Sequence, residues 1–341
     1  MSGMPEFTAA DEAPLLQVDH LKTYYPVKSG IFSRTTGYIR AVDDVSLSIR
    51  KGETLGLVGE SGCGKSTIGR SIVRLENPVG GRILFRSEDI TDKTRRQLKP
   101  VRTRLQMIFQ DPYSSLNPRK RVSELLSEPF IAHKLADKKD IPARVARLLE
   151  LVGLPRGSGN RFPHEFSGGQ RQRIGIARAI SFEPELIVCD EPVSALDVSI
   201  QAQILNLLGD LQKELKLTYL FIAHGIGAVK YISTRIAVMY LGKIVEIGSK
   251  EELFRNPKHP YTRILLNAYP PPDPAARSAG RILIRGDVPS PEHPPSGCRF
   301  HTRCPYVRDL CRTAEPPLGS EAHAAACHFP LDEASGLPVL K

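Results

Sequence analysis

The chain is 341 residues long, 41% hydrophobic and 25% charged, with a formal net charge of +10. That length admits one large α/β domain and a smaller appendage and excludes two full copies of such a domain; the near-average composition excludes a disordered or fibrous chain. No apolar run approaches the roughly 18–20 residues that cross a bilayer, and the richest, such as residues 217–223, is strand-sized. Lys93, Arg95, Arg96, Lys99, Arg102 and Arg104 cluster, yet few aromatics interleave them as a single-strand platform requires. The charge therefore reads as a solvated surface, and no nucleic-acid partner is expected. The N-terminus carries Glu6, Asp11 and Glu12 without a basic-then-apolar pattern, which predicts a cytosolic location.

In chain order, residues 15–58 read as strands. Val45, Leu47 and Ile49 alternate with polar neighbours, and residues 53–59 form a short apolar strand ending in glycine. The loop that follows, with Gly59, Ser61, Gly62, Gly64, Lys65, Ser66 and Thr67, satisfies G-x-x-x-x-G-K-[ST] between a strand and a helix. Glycines let the backbone wrap closely, successive N–H groups and the helix dipole face the phosphates, and Lys65 neutralises the β and γ groups. Ser66 is the expected magnesium ligand; Cys63 occupies a free position of the loop with no assigned role.

Further short strands at 105–109, 186–189 and 219–223 alternate with helical patterns, which implies a largely parallel sheet. The segment 112–183 is helical in period: Val145, Leu148, Leu149 and Val152 share a face before Gly153 closes the helix, as in an inserted helical subdomain. Within it, Phe166, Ser167, Gly168, Gly169, Gln170 and Arg171 precede a helix running to about residue 180. A serine cap and two positions without side chains expose that helix tip as a second anion-binding surface. Strand 186–189 then delivers two adjacent carboxylates, Asp190 and Glu191. One can hold a magnesium shell, and the other can polarise a water for attack on a γ-phosphate.

The helix 199–216 aligns Ile200, Ile204, Leu207, Leu208, Leu211 and Leu215 in one stripe for packing on the sheet. A capping box at 249–252 opens a helix expected to run to about 268. Pro270, Pro271, Pro272 and Pro274 form a linker, and Pro289, Pro291, Pro294 and Pro295 stiffen the approach to a tail. That tail holds Cys298, Cys304, Cys311 and Cys327, at spacings of six, seven and sixteen. Cytosolic placement argues against disulfides, and the spacings are not the C-x-x-C pairs of common zinc sites. Structural zinc, an iron–sulfur cluster and plain packing of reduced thiols all remain open on these residues; His301, His323 and His328 read as surface histidines.

Taken motif by motif, the chain resembles the ATP-binding cassette family over residues 15–268. The resemblance implies a P-loop NTPase of α/β class with a parallel-sheet core, an antiparallel β subdomain, an inserted helical subdomain at about 112–183, and a C-terminal module over 269–341. It makes Ser167 to Gln170 the signature, Asp190 and Glu191 the Walker B carboxylates, and Ser194, Ala195, Leu196 and Asp197 the D-loop. It adds Gln110 as the glutamine loop that completes the magnesium and water shell, Glu191 as general base, and His224 as the histidine on the γ-phosphate. Tyr25, with Tyr24 as second choice, is the aromatic that stacks on adenine. Gly225 departs from the acidic residue that usually follows the histidine. In such proteins two cassettes face head to tail, so the signature of one closes over ATP held by the other.

A narrower likeness rests on the run Gln110, Asp111, Pro112, Tyr113, Ser114, Ser115, Leu116, Asn117, Pro118, Arg119, on residues 191–208 and on residues 259–265. These resemble the second ATP-binding subunit of dipeptide and oligopeptide importers, with nickel complexes and glutathione as related cargoes. The likeness implies a sister cassette in a heterodimer, two transmembrane permeases, an extracytoplasmic peptide-binding protein reached through them, and a peripheral place on the cytoplasmic face of the membrane. It also favours a [4Fe-4S] cluster over Zn2+ in the tail. A soluble cassette of DNA repair or translation is the rival, but neither a long coiled-coil insertion nor a second tandem cassette is visible.

Overall fold

The computed structural model describes residues 13–30, 33–111, 116–268, 286–332 and 337. Its centre is a seven-stranded sheet of order β11-β10-β9-β3-β8-β7-β6. The strands β3 (Thr54–Val58), β6 (Leu105–Ile108), β7 (Leu186–Asp190), β8 (Thr218–Ala223) and β9 (Arg235–Tyr240) run parallel, while β10 (Lys243–Ser249) and β11 (Ala324–Ala325) continue one edge antiparallel. Every residue of β3, β7 and β8 is buried, as strands covered on both faces must be, and this explains their unbroken apolar runs.

Side chains alternate between two cores. Leu186 and Val188 point to the layer shared with a four-stranded antiparallel sheet. That sheet comprises β1 (Leu16–Ser29), β2 (Arg34–Ile49), β4 (Gly80–Phe85) and β5 (Glu88–Asp89), in the order β2-β1-β4-β5. Ile187 and Cys189 point to the opposite layer, built with the helices that lie between β6 and β7 in sequence. Cys189 is fully buried there, and burial holds its thiol well above the ordinary range, as suits an inert packing residue.

Those intervening helices are α3 (Val122–His133), α4 (Ile141–Leu151) and α5 (Gly168–Ile180), preceded in the chain by α1 (Lys65–Ile72) and α2 (Lys99–Arg104). Gly153, at φ +68, terminates α4 as its sequence suggests. The next helix, α6 (Val198–Leu215), buries Ile204, Leu205, Leu208 and Leu211, whereas Leu215 is 36% exposed and Ile200 and Leu207 are only partly covered. Leu205 thus takes a core position that the anticipated stripe assigned to its neighbours.

The single helix expected over 249–268 is broken. After α7 (Ile226–Ile232) come α8 (Lys250–Arg255) and α9 (Pro260–Asn267). Ser249 Oγ accepts from the Glu252 N–H at 3.2 Å to open α8, and Pro257 and Pro260 supply no N–H to carry one helix into the next. His259 caps α9 instead, its Nδ1 accepting from the Tyr261 N–H at 3.1 Å. Full burial lowers the pKa of His259 to about 4, so the ring is neutral and free to accept.

The tail includes α10 (Asp309–Thr313) and attaches by β11, where Glu246 pairs with Ala325 and Ile247 with Ala324. Among the prolines singled out, Pro270, Pro271, Pro272 and Pro274 lie outside the described residues, as do Pro112, Tyr113, Ser114 and Ser115.

Candidate functional site

The glycine loop joins β3 to α1 under tight backbone constraint. Gly64 is the N-cap of α1 at φ +106, and a Cβ there would lie 1.9 Å from the Ala41 carbonyl oxygen. At Gly59 a Cβ would meet the Met239 carbonyl oxygen at 2.1 Å. Only glycine lets the loop pass this close to β2 and β9. No side chain caps α1, so its first N–H groups and the positive end of its dipole are available to an anion. The Lys65 ammonium is buried and donates to the carbonyls of Gly59 and Glu60, each at 2.9 Å. Ser61 and Gly62 are exposed at the loop's crest, and Thr67 is half-buried on α1.

The ends of β6, β7 and β8 bring the polar groups together beside α1. Ser66 Oγ donates to Asp190 Oδ1 at 2.6 Å, while Asp190 Oδ2 is buried without a hydrogen-bond partner. Burial raises the Asp190 pKa, against the opposing Ser66 hydrogen bond and the charge of Arg70. An orphaned carboxylate oxygen beside a serine hydroxyl is a hard-oxygen donor set that fits Mg2+, and such a cation would hold the carboxylate ionised. Glu191 adopts φ +46, rare for a residue with a side chain, and accepts from Gln110 Nε2 at 2.8 Å. His224 Nδ1 lies 3.5 Å from the Gly59 carbonyl oxygen. The residue after it, Gly225, has ordinary φ −89 with nothing within 4 Å of a would-be Cβ, so packing does not require glycine there.

Tyr24 and Tyr25 are separated by their partners. The Tyr24 hydroxyl donates to Asp43, and its burial together with that carboxylate raises its pKa to about 12. Tyr25 is half-buried on the same strand.

Ser167 is exposed at the tip of α5 and forms a reciprocal capping box with Gln170, at 3.3 Å and 3.1 Å. Its side chain bonds Gln170 rather than any group of the phosphate loop. A Cβ at Gly168 would touch Leu196 of the D-loop at 3.4 Å, and one at Gly169 would collide with Ile200 at 2.5 Å. Gly169 therefore also serves the close packing of α5 on α6, a role its motif alone did not disclose.

Cys298, Cys304, Cys311 and Cys327 line one cavity of about 20 Å³. Burial raises the thiols of Cys304 to about 11 and Cys327 to about 12. The donor set, four soft sulfurs around one space, suits an iron–sulfur cluster or zinc; no group of three or more His, Cys, Asp or Glu among the described residues is already arranged as a shell for a metal ion. The histidines differ from the surface placement expected of them. His323 is buried against Glu246 at 2.7 Å, and His301 and His328 are half-buried in the cysteine cavity's wall.

Sequence reading missed Glu60, Asp43, Tyr261, Arg299 and Arg303, which tie this tail to the glycine loop and β2. The only signal was an acid inside the glycine loop and two arginines flanking cysteines.

Fold and site together define a P-loop ATPase of the cassette type. Residues 42–194 match the family model described as ABC transporter, and residues 245–311 match the one described as oligopeptide/dipeptide transporter, C-terminal region. The chain is similar to the oligopeptide transport ATP-binding protein AppF of Bacillus subtilis, 51% identical over 330 residues that cover 94% of this chain and 99% of the relative. It is likewise 51% identical to a putative peptide import ATP-binding protein of Brucella ovis, covering 93% of this chain and 98% of that one. Among solved structures, the cassette MJ0796 in a dimeric post-hydrolysis state bound to ADP and Pi aligns with TM-score 0.62 at 27% identity, covering 69% of this chain and 98% of that one. CbiO1 of Clostridium perfringens, part of the ABC transporter complex cbiONQ, aligns with TM-score 0.61 at 29% identity, covering 71% and 91%. The chain belongs to the ATP-binding proteins of ABC transporters, in the branch that carries the oligopeptide/dipeptide transporter C-terminal region.

Proposed function

We propose that this chain is the ATP-hydrolysing motor subunit of an importer of dipeptides or oligopeptides. The observation that carries the reading is the union, in one chain, of the phosphate-loop and carboxylate geometry with a C-terminal region named for oligopeptide and dipeptide transporters. ATP lies on Gly59, Ser61, Gly62, Gly64, Lys65, Ser66 and Thr67, with adenine on Tyr25. Ser66, Gln110 and Asp190 serve the Mg2+ shell, Glu191 takes the proton of the attacking water, and His224 steadies the γ-phosphate. Ser167, Gly168, Gly169 and Gln170 close over the nucleotide of a sister cassette. Residues 15–268 form the motor and 269–341 the linker and cysteine module.

Two permease subunits form the path and a peptide-binding protein outside delivers cargo; among the described residues of this chain, no helix is long and apolar enough to cross a membrane. The chain works at the cytoplasmic face. A groove of about 370 Å³ lined by Val73, Leu75, Phe109, Pro129 and His133, in the vicinity of the glutamine loop, is the seat for a permease segment. Affinity purification from the host in mild detergent should recover two permeases and a sister ATPase. Recovery with DNA or ribosomes and no membrane protein would contradict the transporter reading.

The four tail cysteines would hold a [4Fe-4S] cluster, with Zn2+ as the alternative, and the group would cross-link the module around its small cavity. Anaerobically purified protein should contain iron and acid-labile sulfide, both lost when Cys304 and Cys311 are replaced by serine. Stoichiometric zinc without iron would overturn the choice of cluster.

A further inference from the structure

The segment carrying Cys298 and Cys304 also carries Arg299 and Arg303, one residue inside each cysteine. Arg303 is 243 positions from Glu60, the second residue of the phosphate loop, yet its guanidinium grips both oxygens of that carboxylate, at 2.8 and 3.2 Å. The arginine side chain is only 8% exposed, so solvent screens this fork-on-carboxylate pair weakly. The other polar groups of Glu60 are held too. Its N–H donates to the Tyr261 hydroxyl at 2.9 Å, and its carbonyl accepts from Lys65 Nζ at 2.9 Å. Phe300 packs on Tyr240 and Tyr261, with centroids 5.2 and 5.4 Å apart, so the cysteine segment backs this contact with an aromatic cluster. Arg299, likewise buried, donates to the Leu241 carbonyl at 2.6 Å and pairs with Asp43, the carboxylate that also accepts from Tyr24.

A free carboxylate inside a loop built for a triphosphate repels the ligand. Neutralising it, and fixing the carbonyl that orients Lys65, favours the nucleotide. We propose that Arg303 is a positioning residue of the nucleotide site: through Glu60 it sets the charge and shape of the phosphate loop, so the C-terminal module tunes ATP affinity. This rests on the reading of Gly59 to Thr67 as the ATP site. By linkage, bound ATP in turn tightens the grip of the module on the cassette.

The test measures binding of a fluorescent ATP analogue to the purified full chain for wild type, Arg303→Ala, Glu60→Gln and the double variant, with thermal midpoints alongside. Arg303→Ala should weaken binding about tenfold, a coupling of ordinary size. Adding Glu60→Gln to Arg303→Ala should recover most of the loss, because the repelling charge is gone. A lowered midpoint with unchanged ATP affinity in Arg303→Ala would reduce the contact to structure and overturn the proposal, as would a double variant no tighter than Arg303→Ala. Should Arg303→Ala not fold, Arg303→Gln carries the same arms. Wild-type protein that binds no ATP would instead sink the reading of the site itself.

Discussion

Glu191→Gln should leave ATP binding near the wild-type level while lowering steady-state hydrolysis by the assembled complex about 10²- to 10⁴-fold, the usual contribution of a general base. The substitution keeps the size of the side chain, and an amide oxygen can still accept from Gln110, now 2.8 Å from the carboxylate. What it removes is the capacity to take a proton from water. Asp190 cannot substitute, because it is 1% exposed and already bonded to Ser66 on one oxygen. Phosphate release measured beside nucleotide binding separates the two effects, and normal turnover in this variant would remove Glu191 from the role of base.

Gly64→Ala should abolish ATP binding. A left-handed φ of +106 costs a residue with a Cβ on the order of 1–3 kcal/mol, and here the added carbon also meets the Ala41 carbonyl oxygen at 1.9 Å and Met239 Cε at 2.7 Å. The methionine can turn aside, but the Ala41 carbonyl is backbone of β2 between Arg40 and Val42, which pair with Tyr24 and Thr23 of β1, so it cannot retreat without dragging the hairpin. The loop must therefore move, and its N–H groups leave the phosphates. Titration with the fluorescent analogue checks this; affinity equal to wild type would mean that the loop's path is not what binds the nucleotide.

Much of this was legible because it is local. The buried strands 186–189 and 219–223 read as apolar runs, and the glycine loop reads from fixed spacing between strand and helix. The break at 256–259 was legible in principle, since Pro257 and Pro260 are in plain view, but a capping box at 249–252 drew the helix past them. The contacts of His323 with Glu246, and of Arg303 with Glu60, were not legible. They join positions 77 and 243 residues apart, and no periodicity encodes such a pairing. The same holds for Gly169, whose need to clear Ile200 exists only once α5 lies against α6.

Ser167 is exposed and its hydroxyl accepts from the Gln170 N–H, so on the proposed reading the phosphate it faces belongs to a neighbouring cassette. Sedimentation velocity of Glu191→Gln protein mixed with its sister subunit, with and without ATP and magnesium, tests this directly. A heavier species that forms only with ATP and is lost when Ser167→Arg is added is the predicted result. Tight ATP binding with every mixture still sedimenting as single chains would contradict it.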